Sequence, residues 1–157
     1  LGYYILSVIK ERLATLFTSD IDNNIYTKQI KKTIIVYFIL SVSAIAIDNI
    51  YAIFGHGVRS AAMTYMFVYP LIGGVIFYAL VRLIFPLINR YKGYRLFYNI
   101  YNSGIALLAA GNLFNGILEV AGADSVFSTY FFIIGYTFAA VGFIILIITA
   151  IRRKTYN

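Results

Sequence analysis

Apolar residues gather into four long runs, and the polar positions between them fall into short breaks. The runs extend from about Thr33 to Phe54, Met63 to Phe85, Leu96 to Ala121 and Val126 to Ile151. A helix needs about 20 mostly apolar residues to cross the hydrocarbon core of a bilayer. Each run therefore predicts a spanning helix, the longer two with some tilt. The breaks, Gly55 to Ala62, Pro86 to Arg95 and Gly122 to Ser125, suit antiparallel neighbours. The expected fold is an all-α integral membrane protein: one membrane domain over residues 1–157, built as an up-down-up-down four-helix transmembrane bundle.

Ahead of the first run the pattern changes. Ile5, Leu6, Ile9, Leu13, Leu16 and Phe17 recur at helical spacing, with Ser7, Lys10, Glu11, Arg12 and Thr15 between them. Residues 1–18 thus predict an N-terminal amphipathic helix lying in the membrane interface. Glu11 and Arg12 interrupt the apolar run and the segment lacks a small-residue cleavage site, so it does not read as a signal peptide. The first residue is Leu1 rather than Met, which fits part of a longer chain. With residues before it, Leu1 to Ile9 could instead close a fifth span. Thr18 to Asn24 predicts a polar loop, with Asn24 capping a helix that continues into the first span.

Composition supports the membrane reading. The chain is 61% hydrophobic and only 12% charged, about half the charge of an ordinary soluble domain. That is too little to cover a water-facing surface. The charge that exists is one-sided. Of the 13 Lys and Arg residues, all but Arg59 fall before the first run, near the end of the second run (Arg82), in the second break or at the C-terminus, on one side of the proposed bundle. Positive charge marks the cytoplasmic side, so both termini are expected there, in the cell membrane. The net charge of +7 then meets anionic lipid headgroups. No basic stripe with interleaved aromatics lies on a soluble face, so membrane lipids and not nucleic acid are the expected partners. The absence of Cys excludes disulfides and thiolate metal sites, and the absence of Trp leaves Tyr to supply any interfacial belt.

Polar residues within the spans carry the functional expectation. Asp48 lies fifteen residues past Thr33, about 22 Å along the helix. An ionisable side chain at that depth costs about 2.5–3.5 kcal/mol on insertion scales. Tyr37, Ser41, Ala44, Asp48, Ala52 and Gly55 share its face. This small and polar stripe is expected to point into the bundle. The third span has a less regular stripe of Tyr101, Gly104, Asn112, Asn115 or Gly116, and Glu119, interrupted by Leu108. Asp48, Asn49, Asn112, Asn115 and Glu119 are the candidate path for an ion or polar solute. The competing reading makes Asp48 a hydrogen-bonded carboxyl that fixes helix register. His56 and Arg59 are the candidate outer vestibule, and His56 beside Glu119 could respond to pH. Pro70 with Gly73 and Gly74 marks a hinge, an unwound stretch or a tight packing point in the second span. Ser128, Gly135, Ala139 and Gly142 give the fourth span a small-residue face for another helix or subunit. A faint repeat also relates the two hairpins, with Asp48 to Tyr51 falling on Gly111 to Phe114.

Catalytic patterns are absent. There is one His, no phosphate-cradling Gly-rich loop and no His pair at metal spacing. Asp48 and Glu119 should differ in depth by about 10 Å, too far for paired carboxylates. No cofactor or metal is expected, and a non-enzyme is expected over a membrane enzyme of lipid metabolism. The function expected from sequence is binding or passage of a small ion or polar solute along the interior polar path, as a homo-oligomer. The alternative is a non-catalytic accessory subunit that packs on another membrane protein.

Overall fold

The first helix, α1, runs unbroken over Gly2–Phe54 in the computed structural model. The structure describes the backbone of residues 2–54, 57 and 59–155, and the side chains of residues 10–11, 28–54, 57 and 59–152. The expected loop from Thr18 to Asn24 is not formed, because the backbone there is helical. The reason lies in what the segment lacks. No Gly or Pro occurs between Tyr3 and Phe54, and Ser, Thr, Asp and Asn each disfavour a helix interior by only tenths of a kcal/mol. The side chains of residues 12–27 lie outside the described residues, and with them the amphipathic face expected of the N-terminal segment.

Four segments are long and apolar enough to cross a membrane: Lys28–Phe54, Ala61–Ile84, Lys92–Ala121 and Phe127–Arg152. The second comprises α2 (Ala61–Tyr65), a π-helical stretch (Tyr69–Ile76) and α3 (Phe77–Ile84). It is followed by α4 (Lys92–Ala121) and α5 (Phe127–Thr155). No strand occurs among the described residues. Only 17–33% of each span is buried within the molecule, and Ile53, Leu83, Ile133 and Ile151 are among many exposed apolar side chains. Such continuous apolar surface fits a lipid environment, not water.

The helix ends have local causes. Ser60 Oγ accepts from the Met63 N–H at 3.2 Å and caps α2. Gly122, in the left-handed region at φ 67°, closes α4, and the next N–H, of Ala123, donates to Leu118 O at 2.9 Å. Pro70 has no N–H to give and its ring displaces the carbonyl of the preceding turn. The chain winds wider from there, and the Phe77 N–H reaches back five residues to Ile72 O. Tyr101 Oη donates to Gly73 O at 2.9 Å, taking up one carbonyl of this stretch. A Cβ on Gly74 would strike the Tyr37 ring, so the widened turn also brings α1 close. The first hairpin is interrupted in this way, whereas α4 and α5 are continuous.

Packing sets the helix order. α1 lies on the second span, the second span meets α4, and α5 packs along α4. The small face of α5 is spent within the chain: Cβ atoms on Gly135 and Gly142 would meet Leu108 and Tyr101 of α4. The core sits towards the end where α1, α4 and α5 carry Lys and Arg, here termed the basic end. Tyr78 and Phe97 are fully buried there, and the Phe77 and Tyr101 rings stack at 4.2 Å. Asn89 reaches Gln29 at 3.3 Å at this end, joining the loop after α3 to α1.

Candidate functional site

At the end opposite the basic one, the polar residues of the spans engage the loop between α1 and α2. Asp48 is buried on the inward stripe of α1 with Tyr37, Ser41 and Ala44. Its Oδ2 lies 3.5 Å from the Arg59 guanidinium, which is itself 56% exposed. Its Oδ1 accepts from Thr64 Oγ1 at 3.2 Å. Arg59 also donates to Asn49 Oδ1 at 3.3 Å. Across the loop, Ser60 Oγ donates to Glu119 Oε2, and Asn115 Nδ2 donates to Glu119 Oε1 at 3.0 Å. Asn112 is buried and bonds back to Leu108 O of its own helix at 2.9 Å. His56 lies outside the described residues.

This geometry is a clasp. The carboxylate from α1 holds Arg59 and Thr64, and the carboxylate from α4 holds Ser60, so both grip the short stretch that enters α2. An ion pair with one partner this exposed contributes about 0.2–1 kcal/mol. A double-mutant cycle of Asp48→Asn and Arg59→Gln, read by thermal unfolding in detergent, is expected to give a coupling energy within that range. A coupling above about 2 kcal/mol would mean that the pair is desolvated and that the clasp is a buried charge site.

A second arrangement lies along α1 from Gln29 to Ile47. A cavity of about 1290 Å³ separates α1 from α4, with Met66 and Pro70 of the second span between them. On α1 its wall takes in Gln29, Lys32, Val36, Leu40, Ser43 and Ile47, one side chain every three or four residues, with the buried Thr33, Tyr37 and Ala44 beside them. The facing wall of α4 begins with Lys92, Arg95 and Tyr98, passes Asn102, and continues as Ala106, Ala109, Ala110 and Leu113. The alanines explain the space: at three of the five lining positions from Ile105 to Leu113 the side chain stops at Cβ. Lys32, Val36, Leu40, Ala106 and Ala110 are exposed, so the cavity is a groove open at its rim. It extends over nineteen residues of α1, from Gln29 to Ile47, a rise of about 27 Å at 1.5 Å per residue.

The groove is polar at one end only. Lys32, Lys92 and Arg95 mark the basic end, and the walls beyond Asn102 are apolar apart from Ser43. Tyr37 Oη and Tyr78 Oη both donate to Asn102 Oδ1 at 2.7 Å. That fixes the amide with its oxygen occupied by tyrosines and leaves its N–H donors without a protein partner among the described residues. None of Asp48, Asn49, Asn112, Asn115 and Glu119 lines the groove.

Sequence reasoning singled out Tyr37 and Ala44 as inward-facing and Pro70 as a hinge or packing point, and did not bring them together with the other groove residues. A signal was present in the three-four spacing of Ala106, Ala109 and Ala110, continuing the line of Tyr98 and Asn102. Compared with protein-family models, curated proteins and solved structures, the chain finds no match.

Proposed function

We propose that this chain is a multi-pass membrane protein that holds an amphiphilic molecule, drawn sideways from the bilayer, in the groove between α1 and α4. The observation that carries this reading is a groove nearly as long as the hydrocarbon core is thick, about 30 Å, apolar along most of its length and polar at one end. Sites for such ligands are mostly apolar with a few placed polar groups. The positive-inside rule puts the basic end, and both termini, on the cytoplasmic side of the cell membrane. The residues before Lys28 then emerge on that side as a direct continuation of α1. In this reading Asp48 and Glu119 fasten the opposite end of the bundle and take no part in binding.

Filling the groove tests the proposal. Ala106 and Ala110 are exposed, so Ala106→Phe with Ala110→Phe should fit without overpacking the core. Native mass spectrometry of the wild type, released from mild detergent, is expected to show a retained amphiphile, and the filled variant to lose it at an unchanged melting temperature. A wild type with nothing bound, or a filled variant that binds equally well, rules the proposal out. A cation flux in vesicles that disappears with Asp48→Asn would instead support passage of an ion along the inward polar stripe. Copurification of a stoichiometric second chain that the filled variant releases would support an accessory subunit.

A further inference from the structure

The charges at the basic end of the groove define its ligand more narrowly, and we infer that the occupant is an anionic phospholipid. The inference rests on the proposed binding role of the groove. Lys32 from α1 and Lys92 and Arg95 from α4 line the same end of one cavity. No carboxylate lines it, and none of the three has an ion-pair partner among the described residues. Like charges brought to one cavity without a counter-charge repel one another. A phosphate placed among them removes that repulsion, and a guanidinium can grip it with two parallel hydrogen bonds.

Two further features act in the same direction. α4 begins at Lys92, and no side chain caps its first turn. The positive end of a long helix therefore adds to the three cations. Two to three turns deeper along α4, about 10–15 Å, the free N–H donors of Asn102 stand where the polar part of the groove gives way to the alanine wall. That amide can donate to an acceptor on the ligand below its phosphate. The acyl chain then follows Ala106, Ala109 and Ala110. A single leaflet is about 15 Å deep, half the hydrocarbon core, so the groove takes a lipid of the cytoplasmic leaflet with its headgroup at the basic end.

The test is a native mass spectrometry titration of the intact protein with phosphatidylglycerol and with phosphatidylcholine of identical acyl chains. The wild type is expected to bind phosphatidylglycerol about tenfold more tightly or better, since each Lys or Arg near an anionic surface adds appreciably to binding. Lys32→Gln with Lys92→Gln and Arg95→Gln should bring the two lipids to equal affinity. Lys28→Gln with Lys31→Gln and Arg90→Gln removes the same charge outside the groove and should keep the preference. Should the neutralised variant fail to fold, Lys32→Arg with Lys92→Arg and Arg95→Lys is the substitute, and it should keep the preference. Equal wild-type affinities overturn the inference, and so does a control variant that loses the preference as fully as the groove variant. Both results leave the groove itself intact as a lipid site. If Ala106→Phe with Ala110→Phe alters binding of neither lipid, the groove reading fails as well. A dimer that the same filled variant dissociates would make a second copy of the chain the occupant and would overturn both.

Discussion

Gly104→Val is expected to part α4 from α5 and to lower stability by about 3 kcal/mol or more, the upper range for overpacking. Gly104 is buried against the small face of α5, and a Cβ there would stand 2.5 Å from Ala139 N and 2.8 Å from Gly135 O. Both are backbone atoms, so no rotamer change relieves the clash and the helices must separate. Between lipid-facing helices, separation is not offset by a hydrophobic gain elsewhere, because association rests on van der Waals packing. Gly104→Ala should already cost most of this, since the Cβ alone collides. Gly73→Ala is the sharp comparison. Its Cβ would also meet an atom at 2.5 Å, but that atom is Cδ1 at the far end of Ile105, which can turn aside. Its cost is expected to stay below about 1 kcal/mol, within the range of a small repacking. Unfolding curves in mixed detergent compare the two directly. Equal losses from Gly73→Ala and Gly104→Ala would refute the claim that backbone contact sets the size of the effect.

The spans were legible because hydrophobicity over 20 or more residues is a property of the chain itself. The four runs read from sequence match the four apolar segments except at their ends, where Lys28 and Lys92 extend the first and third, while the π-helical stretch inside the second was not read as such. The buried stripe through Tyr37, Ser41, Ala44 and Asp48 was legible for a related reason, since small and polar residues at helical spacing mark the face that meets other helices. The continuity of α1 was obscured by weighing the loop-forming residues from Thr18 to Asn24 above the absence of any Gly or Pro. The groove was hidden more deeply. Lys32 and Leu40 on α1, and Ala106 and Ala110 on α4, look like ordinary lipid-facing positions when each helix is read alone. They become one wall only when the widened turn at Pro70 and the close approach at Gly74 set α1 and α4 apart by a particular distance. That spacing is a product of packing between three helices, and no single periodicity records it.

Asn102→Leu is expected to lower stability by about 2 kcal/mol, with almost all of the loss traceable to one tyrosine. The substitution keeps the branching at Cγ but removes the oxygen that accepts from Tyr37 Oη and Tyr78 Oη, both at 2.7 Å. A buried hydroxyl left without a partner costs about 1–3 kcal/mol. The average bilayer hydrogen bond contributes only about 0.6 kcal/mol, which holds the expected total to the middle of that range. The two tyrosines are not equivalent. Tyr37 lines the groove, so its hydroxyl can turn to water or to a bound headgroup. Tyr78 is fully buried and does not line the groove, so its hydroxyl has no such exit. Replacing both partners of a buried hydrogen bond by apolar groups can be nearly neutral. Asn102→Leu with Tyr78→Phe should therefore recover most of the lost stability, whereas Asn102→Leu with Tyr37→Phe should recover little. If Tyr37→Phe proves the better rescue in the unfolding assay, the hydroxyl cut off from solvent is that of Tyr37, and the groove does not reach as deep into the bundle as Asn102.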